Sequence, residues 1–175
     1  MKDTTNISHT IEAEVLFNKF SHDFTELYEI NQSTEWVNGI LGELHEQLDK
    51  DDEYPAGSLT INLEVTRKKN NILGDHLIVK AHIDAHYHLP CGLTLKPLAQ
   101  HMDIEVAGAF LHDSMEKYPE YAEATTVFAD GQEIELYFYR KGKVDIKEFI
   151  HEQIFLEVPA FPRYTDAEQT DIVEE

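Results

Sequence analysis

Residues 76–97 constrain what this chain can fold into more than any other stretch. Leu77, Val79, Ala81, Ile83, Ala85 and Tyr87 alternate with Ile78, Lys80, His82, Asp84, His86 and His88, which is the period of a strand that buries one face and exposes the other. At roughly 3.3 Å per residue the alternation spans about 40 Å, so partner strands have to pair with both of its halves. Leu89, Pro90, Cys91 and Gly92 follow. Pro90 has no N–H for a ladder and Gly92 tolerates positive φ, so a bend closes the strand.

The same stretch holds the only cysteine and the densest group of histidines. On a strand, His82, Asp84, His86 and His88 project from one face about 7 Å apart, and neighbouring i, i+2 imidazoles reach a single zinc ion. Water on such an ion is activated for hydrolysis. The competing reading is that these are the polar side chains of a half-buried strand, brought together in a histidine-rich chain. No helix-borne His-Glu-x-x-His segment and no cysteine pair accompanies them. The expectation is therefore a chain with no metal or other cofactor and no enzymatic activity. A metal-dependent hydrolase built on His82, Asp84, His86 and His88 is the alternative.

A chain of 175 residues suffices for one domain that buries a core without disulfides. One cysteine excludes an intramolecular disulfide, and no apolar run approaches the length of a membrane span. These features set the expectation of a cytoplasmic protein with no membrane partner. Fourteen basic against thirty-four acidic residues give a formal net charge of −20. A surface of that sign does not neutralise phosphates, so direct nucleic-acid binding is disfavoured. The charge either steers the protein to a basic partner or serves solubility alone.

Alternation also marks residues 11–17, 59–67, 100–111 and 133–139 as strands, with Met102, Ile104 and Val106 on one side of the fourth segment of the sheet. Residues 59–67 and 76–89 form a hairpin across the polar turn 68–71. Phe20, Phe24, Leu27 and Tyr28 recur at helical spacing and read as a short helix or irregular segment. Ser33 or Thr34 caps a helix over 35–49 whose inward stripe is Trp36, Val37, Ile40, Leu41, Leu44 and Leu48. Gly39 and Gly42 within it are read as points of close packing on the sheet. Gly108 reads as a bulge, 112–123 as a long loop or lid, 125–128 as an edge segment, and Asp130-Gly131 as a turn. Residues 140–143 form a small basic turn. Asp145 and Glu148 are spaced as a capping box for a helix over 146–156, with Phe149, Ile150 and Ile154 buried. The fold class is α+β, a mainly antiparallel sheet packed against two or three helices. Residues 1–163 form the domain, and 164–175 are an acidic, flexible tail.

Cys91, Thr94, Leu95 and Pro97, followed further along by Val144, Asp145, Ile146, Ile150, Glu152, Gln153, Ile154, Leu156 and Pro159, resemble the YceD family, the large-subunit ribosomal RNA accumulation family. The likeness runs from the first strand to Pro162, because helix, hairpin, cysteine-containing turn, acidic loop and terminal helix come in the family's order. The family's turn is similar to Cys-x-Arg-Cys-Leu-x-Pro, and here Leu93 and Thr94 stand in place of the arginine and second cysteine. Cysteines that many members carry later are absent from position 163 onward, so no zinc or redox role carries over with the resemblance. Cys91 is then a small buried side chain at a strand-to-turn junction. The motif positions that carry over are Cys91, Leu95, Pro97, Asp145, Glu152, Leu156 and Pro159. The resemblance implies a non-enzymatic role in producing or stabilising large-subunit ribosomal RNA. Combined with the charge, it implies a basic large-subunit ribosomal protein or a pre-ribosomal particle as partner.

Overall fold

The computed structural model describes residues 6–160 and Pro162. In chain order these form β1 (Ile7–Ser8), β2 (Glu14–Leu16), a 3-10 turn (Phe17–Lys19), β3 (Thr25–Asn31), α1 (Glu35–Leu44), β4 (Ser58–Asn70), β5 (Gly74–Pro90) and β6 (Pro97–His112). A second 3-10 turn (Asp113–Lys117) leads to α2 (Pro119–Ala122), β7 (Thr126–Ala129), β8 (Gln132–Tyr139), β9 (Lys143–Asp145) and α3 (Ile146–Glu157). Seven strands make one sheet in the order β1-β3-β4-β5-β6-β8-β7, and β2 pairs with β9 in a separate ribbon. The expected acidic tail, 164–175, lies outside the described residues.

β5 is the spine of this sheet. It pairs with β4 from Ser58↔His86 to Asn70↔Gly74 and with β6 from Leu77↔Phe110 to Pro90↔Pro97. Leu77, Val79, Ala81, Ile83, Ala85 and Tyr87 are all buried, as the alternation requires. They face Ile61, Leu63 and Val65 of β4 and the apolar stripes of both longer helices, in one cluster that includes Val37, Ile40, Phe149 and Ile150. The first hairpin turn is set by Asn70, whose Oδ1 accepts from the Ile72 and Leu73 N–H groups. The α3 helix starts where Asp145 Oδ1 accepts from the Glu148 N–H at 2.8 Å, and Ile146, Phe149, Ile150 and Ile154 are buried. Asp130 and Gly131 both have positive φ, 53° and 78°, the geometry of a two-residue hairpin turn between β7 and β8.

The α+β class holds, but the sheet is mixed rather than mainly antiparallel. β1 runs parallel to β3, and β6 runs parallel to β8. The second case arises because the chain leaves β6 through α2 to the outer edge, and the β7–β8 hairpin then turns back inward. Alternation within a segment carries no trace of such a crossover.

Other expectations are corrected locally. Residues 11–17 do not join the main sheet: only Glu14–Leu16 is a strand, and it pairs with β9. The helical reading of 20–28 fails, because Tyr28 and Ile30 alternate into the core as part of β3 while Phe24 is exposed. The α1 helix stops at Leu44, although Leu48 beyond it is still buried. Thr34 is its N-cap residue, but no side-chain bond caps the helix and, among the described residues, Thr34 Oγ1 lacks a partner. Trp36 lies half-buried and donates Nε1–H to the Ile11 carbonyl at 2.8 Å. Residues 112–123 are not a lid, because Tyr121 packs into a second apolar cluster. The glycine roles are exchanged. Gly39 and Gly42 face solvent with open space where a Cβ would stand, whereas Gly108 sits in unbroken register beneath α3, where a Cβ would come within 2.8 Å of Phe149 Cε1.

Two clamps fasten outlying segments to the sheet. Arg67 binds Asp75 through Nε and Nη2 at 3.0 and 2.6 Å, donates Nη1–H to the Phe20 carbonyl, and lies 4.5 Å above the Phe17 ring. Arg67 holds the Asp75 carboxyl below the usual carboxylate range. At the other end, His45 after α1 accepts the His88 N–H at Nε2, 3.1 Å away, beside the Tyr54 ring. Burial, with His88 as a lesser cause, lowers the pKa of His45.

Two tests follow from this packing. Gly42→Ala on the open helix face should raise stability by about 0.5–1 kcal/mol in denaturant titration. Gly108→Ala should lower it by about 1–3 kcal/mol, because the Phe149 ring has to move within a packed cluster. For His45, the folded pKa lies below the unfolded one, so its contribution is complete above the ordinary histidine range and is lost as pH falls through the folded value. Wild-type protein should therefore lose more thermal stability than His45→Gln between pH ~7 and ~5.

Candidate functional site

The helices α1 and α3 cover one face of the sheet. Among the described residues the other face is capped only at one end, where Leu73, Ile78, Ala109, Leu111, Tyr121, Val127, Ala129 and Ile134 make a small second core. The remainder is an open groove of about 770 Å³ lined by Glu29, Asn62, Glu64, Lys80, His82, Glu105, Ala107 and Glu133, among others. The ladder brings these residues together: Leu27 stands opposite Glu64, Glu64 opposite Lys80, and His82 opposite Glu105. Pairing between β6 and β8 begins only at Gly108↔Glu135. Gln153 of α3 lines the part of the groove where these strands separate and donates Nε2–H to the Tyr137 hydroxyl at 2.8 Å.

This face is strongly acidic. Glu29, Glu64 and Glu105 are all exposed on it, and exposed Glu133 lines the groove from the start of β8. Lys80 and Lys68, which share this face, are both engaged by Asp130, at 2.8 and 3.6 Å. Lys80 holds the Asp130 carboxyl below its ordinary pKa. Asp84 and Asp103 stand directly opposite one another on β5 and β6, an arrangement of like charges that weakens a sheet unless something offsets it. Histidines supply that offset here. His82 donates Nε2–H to Asp103 Oδ1 at 2.6 Å, and this bond raises the His82 pKa. His86 and His101, a directly opposed pair, each place Nε2 at 3.3 Å from Asp84 Oδ1, with their rings stacked 4.2 Å apart.

The four residues singled out as a metal set do not converge on one centre. His82 belongs to Asp103, and the His88 ring faces His45 and Tyr54. Asp84 and His86 do meet, and their third companion is His101. Alternation within β5 cannot reveal His101 or Asp103, because they reach the site from the next strand. The signal for them was the turn. Once Pro90 and Pro97 close the hairpin, counting back places 101 opposite 86 and 103 opposite 84.

The motif residues lie elsewhere. Cys91 is fully buried; its N–H donates to the Lys96 carbonyl and its own carbonyl accepts from the Leu95 N–H. Leu95 takes a positive φ of 65° and is exposed, and Pro97 opens β6 opposite Pro90. Gly92 N–H donates to the Pro162 carbonyl, which joins this turn to the chain after α3. Asp145 caps α3, and Glu152 accepts the Tyr137 hydroxyl at 2.8 Å. Burial, followed by that bond, pushes the Tyr137 pKa well up. Leu156 and Pro159 are exposed. The motif thus joins one sheet end to α3.

Among the described residues, no helix is long and apolar enough to cross a membrane. A search among curated proteins and another among solved structures return no match. A family model does match, over residues 79–174, and its description is large ribosomal RNA subunit accumulation protein YceD. The match takes in the second half of β5, the Cys91 turn, β6 and the capped helix α3, more than half of the chain; the chain belongs to the YceD family.

Proposed function

We propose that this chain supports large-subunit ribosomal RNA accumulation without catalysing a reaction, by presenting its acidic sheet face to a basic ribosomal protein or assembly intermediate. The observation that carries this reading is the open groove, where Glu29, Glu64, Glu105 and Glu133 surround a single lysine already paired with Asp130. Such a surface raises the encounter rate with cationic partners and repels phosphate backbones. Both arginines that could oppose this within the sheet and the basic turn are engaged. Arg67 is bound to Asp75, and Arg140 of the basic turn to Glu116 at 2.9 Å.

Capture of partners by the purified chain at low and moderate ionic strength tests the reading. Large-subunit proteins should be recovered at low salt and lost as the screening length falls to about 8 Å near 0.15 M. The triple substitution Glu29→Gln, Glu64→Gln and Glu105→Gln should abolish recovery. Its effect on stability should stay within about 0.5 kcal/mol, since all three side chains are exposed. Recovery of RNA that survives these substitutions would overturn the proposal.

A further inference from the structure

We propose that Asp84, His86 and His101 form a solvent-open binding site for one divalent transition-metal ion of the zinc class. Their donor atoms all lie within 4.8 Å of one another. Two imidazoles and one carboxylate are a donor set that zinc and its neighbours accept, and one that magnesium and calcium, which prefer oxygen alone, do not.

The backbone places these donors before any ion arrives. His86 and His101 are directly opposed in the β5/β6 ladder, and Asp84 precedes His86 by two residues on the same face. β5 is held on its far side by β4, so the hairpin that carries the ligands does not need a metal to form. The imidazoles already aim at a common point, since each Nε2 stands 3.3 Å from the same Asp84 oxygen. Their rings lie 7° from parallel. Closing the donor separations to the roughly 3.3 Å of a tetrahedral zinc site takes rotation of the side chains alone. That rotation is open to them, with 60% of the His86 side chain and 51% of the His101 side chain exposed.

Charge favours occupancy. Asp84 faces Asp103 across the strands and Glu105 is the next acid along β6 on that face, so a divalent cation offsets a like-charge repulsion built into the ladder. The neighbouring histidines are otherwise committed, His82 to Asp103 and His88 beside His45 and Tyr54. Three protein ligands leave at least one coordination position to water or to a donor from a partner. This site stands independently of the acidic-face reading, since it needs no protein partner to fill.

The test uses full-length protein without a histidine tag, freed of metal by chelator and titrated with zinc by calorimetry and with cobalt by visible absorption. Binding of one equivalent is expected, together with zinc-dependent shifts of the His86 and His101 imidazole resonances in the unaltered chain. The double variant His86→Gln and His101→Gln should lose the equivalent while keeping its circular dichroism spectrum, and His82→Gln should retain it. Magnesium should not compete. Absence of saturable binding, zinc-dependent shifts confined to other histidines, or binding undiminished in the double variant would each overturn the assignment.

Discussion

The β4-β5-β6 ladder is the constraint on which everything else in this structure rests. Thirteen pairs join β4 to β5 and fourteen join β5 to β6, and because side chains alternate with period two, a slip of one residue would turn the whole core outward. The two faces are therefore set together. Burying Val79, Ala81 and Ile83 under α1 and α3 obliges Lys80, His82 and Asp84 to share the opposite face. The acidic groove is thus a geometric consequence of the core, and neither could shift without the other.

That coupling explains which features could be read from the sequence. Long, strictly alternating strands and a capped helix declare themselves locally, so β4, β5, β6, β8 and α3 were legible along with their inward residues. Features set by the third dimension were not. Phe24, Leu27 and Tyr28 recur at a helical spacing, yet the place of β3 against β4 wins over that local pattern because Tyr28 and Ile30 then reach the core. The glycines show the same limit. Gly108 is small because Phe149 comes from 41 positions later to lie over it, a contact no local window contains.

The candidate site divided along the same line. Asp84 and His86 were visible as a strand-face pair, while His101 and Asp103 depend on the length of the Cys91 turn. This turn keeps its shape with one cysteine. Backbone bonds between Cys91 and Lys96, and between Leu95 and Cys91, close it, and Gly92 anchors it to Pro162. Hydrogen bonds of this kind hold the proline-flanked hairpin end. The register, and with it the His86–His101 pair, therefore depends on residues that the family motif marks but that never touch the groove.

Several of the chain's cations are committed within the fold. Arg67, Lys68, Lys80 and Arg140 are all drawn into pairs with Asp75, Asp130 and Glu116, and these pairs tie segments of the fold together. The carboxylates left on the sheet face are met by histidines at one end and by solvent along the rest. Histidine is a partial answer, because its charge depends on pH and its lone pair is available when it is neutral. The two ends of this face accordingly differ in chemistry. Where imidazoles interrupt the acids, nitrogen donors stand ready for the metal ion proposed above; along the groove the carboxylates stand without them, which is the spread negative charge that the proposed basic partner would meet.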